Sequence, residues 1–323
     1  MVPVVSWRPV SLARPGRIAL TATTGWSLIV VALVLMVAGS GCSGRPVFGG
    51  AGPGVATREV IAVEFAGLSR EVIVYRPGGT PPAAGFPLVM MMHGGLGSAS
   101  QAETSYGWEA LADSAGFVVA YPDGVDRTWN AGSCCGKAQR ADIDDVGFLT
   151  EVVTQVAALV PIDESRRYLT GMSNGAMMTY RMACQTSLFT AVAPVAGTQL
   201  VDCDGAKPTS VLHIHGADDS TVRLDGALGD GPGRVSGPPL AQVIDGWRDR
   251  DDCSPPRTSV SGEVTTTTAE CAAGRTVTWI VIADAGHQWP GSKKSTYPGA
   301  DTPSRALDAT TVIWDFFDSH QRR

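Results

Sequence analysis

The chain has 323 residues, of which 44% are hydrophobic and 17% are charged, so it can fill a core and wholesale disorder is excluded. Its length allows about two domains or one large α/β domain. The net charge is −6, and the first 41 residues contain three arginines and no acidic residue. The remainder is therefore acidic, which argues against a protein that holds nucleic acid through phosphate neutralisation.

The N-terminal segment has the pattern of an export signal. Its arginines precede an uninterrupted apolar run over residues 28–38, and small residues and Cys42 follow. The run is shorter than the ~20 residues that a membrane span needs. We therefore predict an export signal over residues 1–41 that resembles a bacterial lipoprotein leader, with Cys42 as the lipidated residue. Ordinary cleavage at Ala38-x-Ser40 is the alternative. The expected location is extracellular or in the cell envelope, on the outer side of the cytoplasmic membrane.

Six cysteines follow Cys42: Cys134, Cys135, Cys184, Cys203, Cys253 and Cys271. An even number in an exported chain predicts disulfides. We favour the pair Cys253–Cys271, because both residues lie in one Gly-, Thr- and Ser-rich excursion, and then Cys184–Cys203. The adjacent Cys134 and Cys135 either bridge each other or pair elsewhere. A zinc site is the rival interpretation, but no CxxC pairs of matching spacing occur, and we predict no metal.

Residues 42–58 are rich in Gly and Pro and predict a tether, after which short apolar segments alternate with helical ones. The predicted strands are 60–65, 70–77, 87–93, 117–124, 167–173, 189–197, 210–216 and 277–287. The predicted helices include 142–160, 174–184 and 305–320, the first capped by Asp142 or Asp144. This alternation predicts one domain over residues 59–323, a doubly wound and mostly parallel sheet with helices on both faces. Residues 225–239 are a surface insertion that we expect to rim the active site.

The strongest chemical signal is the sequence Gly171-Met172-Ser173-Asn174-Gly175. It matches G-x-S-x-G between a buried strand and a helix, the context in which a sharp turn exposes a nucleophilic serine. The structural alternative is a glycine-rich turn with an ordinary surface serine. A serine hydroxyl needs a neighbouring base to accept its proton, so the five histidines are weighed next.

His287 is the predicted base, since it lies between the last apolar strand and the final helix, where the order nucleophile, acid, base places it. His320 is expected to be solvated in the C-terminal tail, and His93 is expected to shape a loop. His213 and His215 share one face of a strand. They could bind a metal, but a buried, hydrogen-bonded role is favoured because no third ligand is visible.

The acid that orients His287 is expected after the strand 210–216, where Asp218 and Asp219 are both candidates. Backbone N–H groups must stabilise the oxyanion. We predict one from Asn174, which follows the nucleophile, and one from Gly95 or Leu96 in the His93-Gly94-Gly95-Leu96-Gly97 loop.

Two tryptophans flank the predicted site in sequence. Trp129 and Trp289 are candidates to stack on a hydrophobic or phenolic acyl group, although tryptophan is also common in cores. Asp144 and Asp145 begin a predicted helix and are interpreted as capping residues rather than metal ligands.

These segments together resemble the secreted poly(3-hydroxybutyrate) depolymerase and feruloyl esterase family of α/β-hydrolases. The resemblance rests on HGGLGSA, WNAGSCCG, DIDDVGFL, GMSNGAMMTYRMAC, FTAVAPVAGT, SVLHIHGADDSTV and GHQWPGS. It implies an α/β-hydrolase fold, Ser173 as nucleophile, His287 as base and Asp219, rather than Asp218, as acid. The chain departs from the family pattern with Ala217 in place of Thr and Arg223 in place of Pro.

The resulting prediction is a serine carboxylic-ester hydrolase that acts through an acyl-enzyme on hydroxyalkanoate or feruloyl and other aryl esters. The resemblance implies no metal and no organic cofactor. The expected partner is a small or oligomeric ester, with no nucleic acid and with membrane contact only through the lipid on Cys42. A serine peptidase of the same fold and a non-catalytic surface binding protein are the alternatives.

Overall fold

A computed structural model describes residues 54–293 and 301–322, so the predicted export signal and Cys42 lie outside the described residues. Strands β1 and β2 form the opening antiparallel pair, and β1 begins inside the segment predicted as a tether. The strands are β1 (Thr57–Phe65), β2 (Leu68–Arg76), β3 (Phe86–Met92), β4 (Val118–Pro122), β5 (Ile162–Met172), β6 (Ala191–Val195), β7 (Ser210–Gly216), β8 (Arg257–Ser261), β9 (Val264–Glu270) and β10 (Thr276–Ile282).

These strands form one sheet in the order β1-β2-β4-β3-β5-β6-β7-β10-β9-β8. The six strands from β4 to β10 in that order pair in parallel, and antiparallel pairs extend the sheet at both edges. Since the central strands are parallel, the loops that follow β3, β5, β7 and β10 leave the sheet at one edge. The predicted mostly parallel sheet is confirmed.

The helices cover both faces of the sheet. They are α1 (Ala99–Tyr106), α2 (Trp108–Ala115), α3 (Gly136–Arg140), α4 (Asp145–Leu159), α5 (Asn174–Gln185), α6 (Leu240–Arg250) and α7 (Ala309–Asp318). No helix within the described residues is long and apolar enough to span a bilayer.

Strand β3 shows why continuous apolar runs form the middle of the sheet. Side chains alternate along a strand, so Leu88, Met90 and Met92 enter the core that contains residues of α4, α5 and α6. Val89 and Met91 enter the other core, which contains residues of α1, α2 and α7. Both faces are buried, which is the reason that the strand carries no polar alternation.

The two ends of helix α4 are set by Asp144, which caps its start, and by the proline that follows its end. The carboxylate of Asp144 accepts the N–H of Gly147 at 2.8 Å and caps the helix. Val160 leaves the helix in an extended conformation, as expected for the residue before Pro161. Asp145 does not have the predicted capping role. It is fully buried, pairs with Arg70 at 2.7 Å and accepts the N–H of Asn130 at 2.7 Å.

The disulfides are Cys134–Cys135, Cys184–Cys203 and Cys253–Cys271, so both favoured pairs are confirmed. Of the two alternatives left open for Cys134 and Cys135, the structure has the bridge between them. Cys253–Cys271 flanks the antiparallel hairpin of β8 and β9. This segment was predicted only as a Gly-, Thr- and Ser-rich excursion. The hairpin is largely polar, with β8 exposed and β9 mostly half-buried, so no apolar pattern marks it.

Candidate active site

Ser173 occupies a sharp turn between β5 and α5. Its backbone has φ 56° and ψ −118°, a left-handed conformation that is costly for a residue with a side chain. Glycines make room for this turn. A Cβ on Gly171 would lie 2.6 Å from the carbonyl oxygen of Gly175, and a Cβ on Gly175 would lie 2.5 Å from that of His93. The motif therefore lets strand, helix and the neighbouring loop approach more closely than any larger residue allows.

His287 connects the other two predicted site residues. Its Nε2 lies 2.8 Å from Oγ of Ser173, and its Nδ1 lies 2.8 Å from Oδ2 of Asp219. His287 is buried, whereas Ser173 is partly exposed to the cavity described below. The three residues follow β5, β7 and β10, so the common edge of the sheet brings them together. In this arrangement the imidazole can accept the serine proton while the carboxylate orients the ring.

The turn after β7 separates the two adjacent aspartates. Asp218 is exposed, whereas Asp219 is buried. One oxygen of Asp219 accepts the N–H groups of Thr221 and Val222 at 2.9 and 2.7 Å. Burial opposes the ionised form of Asp219, but hydrogen bonds with His215 and His287 outweigh burial and hold its pKa well below the ordinary range. The carboxylate that faces His287 is therefore an anion.

A column of buried polar side chains lies behind Asp219. The hydroxyl of Tyr180 lies 2.8 Å from Nδ1 of His213, whose Nε2 lies 2.9 Å from Nδ1 of His215. Nε2 of His215 must carry a proton, because it faces the carbonyl of Val222 at 2.8 Å, and it lies 3.3 Å from Asp219. Burial lowers the pKa of His213 and keeps that ring neutral. Both histidines thus have the buried, hydrogen-bonded environment that we predicted.

Cysteine, histidine, aspartate and glutamate residues do not form a group of three or more suited to a metal ion within the described ranges. The His213–His215 pair in particular is used internally, since the two rings bond to each other.

The structure distinguishes between the predicted oxyanion donors. The N–H of Leu96 donates to the carbonyl of Arg127 at 2.9 Å, so Leu96 does not fit the predicted donor role. The N–H of Gly95 makes no backbone or side-chain hydrogen bond within the described part of the chain. Asn174 is the first residue of α5, so no carbonyl of the same helix lies one turn earlier to accept its backbone N–H. Gly95 and Asn174 therefore keep N–H groups available beside Ser173.

A cavity of about 170 Å³ opens in front of Ser173. Gly95, Asn174 and His287 line it near the nucleophile, and apolar groups that include Met177 and Val222 form much of the remaining wall. Pro232, Gly233 and Val235 also line it, so the predicted insertion rims the cavity. Cys135 of the vicinal disulfide is part of the same wall.

Neither predicted substrate-binding tryptophan lines this cavity. Trp129 and Trp289 are 0% and 1% exposed. The ring of Trp289 stacks on the ring of Tyr106, with 4.6 Å between the centroids, and its indole N–H donates to the hydroxyl of Thr310 at 3.1 Å. This corrects the prediction, because both indoles are enclosed by the protein and neither face is open to a ligand.

Three further residues complete the comparison with the sequence: Asp301 was not singled out, His320 differs from its predicted environment, and His93 matches it. The carboxylate of Asp301 accepts the backbone N–H of His287 at 2.5 Å and packs against Gly286. The signal for this contact is absent from the local sequence, because the two residues are 14 positions apart and no motif links them. His320 is 8% exposed rather than solvated, with Nδ1 at 2.7 Å from the carbonyl of Phe316. His93 shapes its loop as predicted, with Nε2 accepting the N–H of Gly124 at 2.9 Å.

Comparisons with known proteins show the family and the fold. A family model described as "Esterase PHB depolymerase" matches residues 71–235. "Putative esterase NocK" of Nocardia uniformis subsp. tsuyamanensis is 30% identical over 88% of this chain and 96% of its own length. Feruloyl esterase B of Piromyces equi is 29% identical over 68% of this chain but only 42% of its own length. The structure of acetyl xylan esterase from Aspergillus awamori aligns with a TM-score of 0.50 at 16% identity, covering 77% of this chain and 94% of that one. The predicted α/β-hydrolase fold is confirmed.

Proposed function

Because the chain belongs to the PHB depolymerase family of esterases, we propose that it hydrolyses carboxylic esters through a serine acyl-enzyme. The observation that carries this proposal is the position of His287, 2.8 Å from both Ser173 Oγ and Asp219 Oδ2. A hydroxyl, an imidazole and an anionic carboxylate in that order form an activated nucleophile.

In the proposed mechanism, Oγ of Ser173 attacks the ester carbonyl carbon while Nε2 of His287 takes the hydroxyl proton. The N–H groups of Gly95 and Asn174 stabilise the oxyanion of the tetrahedral intermediate. The alkoxide leaves with the proton from His287, and the acyl group remains on Ser173. A water molecule then attacks the acyl-enzyme, again giving its proton to His287, and the acid is released with the Ser173 hydroxyl restored. Asp219 holds the ring in place and stabilises the imidazolium.

The proposed substrates are hydroxyalkanoate esters or feruloyl and other aryl esters. The largely apolar cavity beside Ser173 supports an apolar acyl group. The names of the family and of the Piromyces equi relative point to these two ester classes.

Replacing Ser173 tests the mechanism. Ser173→Ala should lower hydrolysis of a p-nitrophenyl ester on the order of 10⁶-fold, by analogy with triad removal in other hydrolases. The wild-type protein should also be labelled by a fluorophosphonate probe, and the variant should not be. Full activity in Ser173→Ala would refute the proposal, and absence of labelling in folded wild type would favour a binding protein. Matched ester and amide substrates separate the esterase from a peptidase, because a serine peptidase would hydrolyse the amide as well as the ester.

We further propose that the protein acts outside the cytoplasm and is anchored through lipid on Cys42. Three disulfides among the described residues support an oxidising location. Mass spectrometry of the mature N-terminus tests the anchor. A diacylglyceryl-modified Cys42 is expected, and an unmodified N-terminus after cleavage at Ala38-x-Ser40 would contradict it.

A further inference from the structure

Trp129 forms hydrogen bonds to the loop after β3 and to the first residue of α5, the two segments that border Ser173. Its indole N–H donates to the carbonyl of His93 at 2.9 Å. Its backbone N–H donates to Oδ1 of Asn174 at 2.7 Å, and its carbonyl accepts from Nδ2 of the same side chain at 3.0 Å. All three residues are nearly or fully buried, so these bonds do not compete with water.

The two bonded segments carry the proposed oxyanion donors. His93 begins the loop that supplies Gly95, and Asn174 supplies its own N–H at the start of α5. The two segments are in close contact beside the nucleophile. A Cβ on Gly94 would lie 3.4 Å from Cβ of Ser173, and a Cβ on Gly95 would lie 3.7 Å from Cβ of Asn174.

Trp129 itself cannot touch a substrate, since it is 0% exposed and does not line the cavity. Its loop continues to the cavity wall, because its carbonyl also accepts the N–H of Cys135 at 3.1 Å. The residue therefore bonds to Asn174 and Cys135, which line the cavity, and to the loop that carries Gly95, without contributing surface of its own.

We propose that Trp129 is a positioning residue that sets the distance between the two oxyanion donors, Gly95 and Asn174. The inference rests on the proposed serine mechanism. Oxyanion donors act in the transition state only when they are held in place beforehand. Loss of the indole N–H would leave the carbonyl of His93 without its donor, so the loop that carries Gly95 would no longer be held at a fixed distance from Asn174.

Trp129→Phe tests this role, because it removes the indole N–H and keeps a buried aromatic ring. We expect kcat for a p-nitrophenyl ester to fall about 10- to 100-fold, somewhat less than the loss of a whole oxyanion donor, with KM unchanged within about twofold. The affinity for an aryl trifluoromethyl ketone, which forms a tetrahedral adduct with the serine, should fall by the same factor as kcat.

Trp108→Phe is the matched control. Trp108 is also fully buried, and its indole nitrogen has no hydrogen-bond partner among the described residues. This variant should keep wild-type kcat and ketone affinity. If Trp129→Phe does not fold, incorporation of benzothienylalanine at position 129 replaces only the N–H by sulfur and allows the same measurements.

Two results would overturn the proposal. One is a kcat for Trp129→Phe within twofold of wild type. The other is a lower kcat with unchanged ketone affinity, which would make Trp129 a packing residue only. Failure of the serine mechanism itself is recognised separately, because Ser173→Ala would then remain active.

Discussion

His93 is a titratable group whose burial should make the stability of the whole domain depend on pH. The ring is 0% exposed, its Nε2 accepts the N–H of Gly124, and its Nδ1 faces the carbonyl of Gly94 at 2.8 Å. Burial lowers the pKa of His93 to about 4, against the opposing effects of the Gly94 hydrogen bond and the charge of Asp123. Arg70 and Arg127 lower this pKa further.

The sign and size of the effect follow from the two pKa values of His93. In the unfolded chain its pKa is about 6.5, so between pH 6.5 and pH 4 the unfolded state binds a proton that the folded state does not. The contribution to the free energy of unfolding is therefore complete above pH 6.5 and is lost as the pH falls toward 4. At about 1.4 kcal/mol per pH unit, the loss amounts to about 3 kcal/mol.

Urea denaturation of wild type and His93→Gln between pH 4 and pH 7.5 at constant ionic strength measures this contribution. The difference in unfolding free energy between the two proteins should narrow by about 3 kcal/mol from pH 7 to pH 4, because glutamine does not titrate. Trp108→Phe, which removes buried atoms without removing a proton site, should differ from wild type by the same amount at every pH. Parallel curves for wild type and His93→Gln would refute the reasoning.

Two further predictions concern stability. Asp145→Asn should lower the unfolding free energy by about 3–5 kcal/mol in urea denaturation, because it leaves the buried charge of Arg70 without its anionic partner; a loss below about 1 kcal/mol would contradict this. Replacing Cys253 and Cys271 by serine should cost about 3 kcal/mol in thermal denaturation, as expected for a disulfide that closes a loop of this length. Ester hydrolysis at low temperature should be unchanged, because this disulfide does not line the cavity.

The core of the sheet was predictable because its signal is local. The apolar run 87–93 became β3 (Phe86–Met92), and residues 210–216 became β7 with the predicted bounds. The hairpin of β8 and β9 lacks such a signal, since its threonines show no apolar alternation. Its strand β9 forms by pairing with β10, as in the contact of Thr267 with Trp279, and that partner is not visible in the local pattern.

The candidate site shows the same contrast between features with a local sequence signal and features set by tertiary contacts. Ser173 could be predicted as the candidate nucleophile because consecutive residues encode a strand, a sharp turn and a helix. The state of the Leu96 N–H depends on the carbonyl of Arg127, in a separate loop of the chain. Trp129 is likewise buried in the core. There it forms hydrogen bonds to His93 and Asn174 instead of the expected contact with a ligand. Whether a polar group already has a hydrogen-bond partner depends on the tertiary structure, and a sequence motif alone does not specify it.

Asp218 and Asp219 show this distinction within two residues and provide a matched pair of variants. The backbone N–H of Asp218 donates to Ala285 while its side chain is exposed, so Asp218→Asn should keep wild-type kcat. Asp219→Asn keeps the shape but removes the anion that selects the tautomer of His287, and kcat should fall on the order of 10⁴-fold. Both variants lose one negative charge at adjacent positions, so a general electrostatic effect would lower both rates alike. Equal losses in the two p-nitrophenyl ester assays would therefore remove Asp219 from the mechanism.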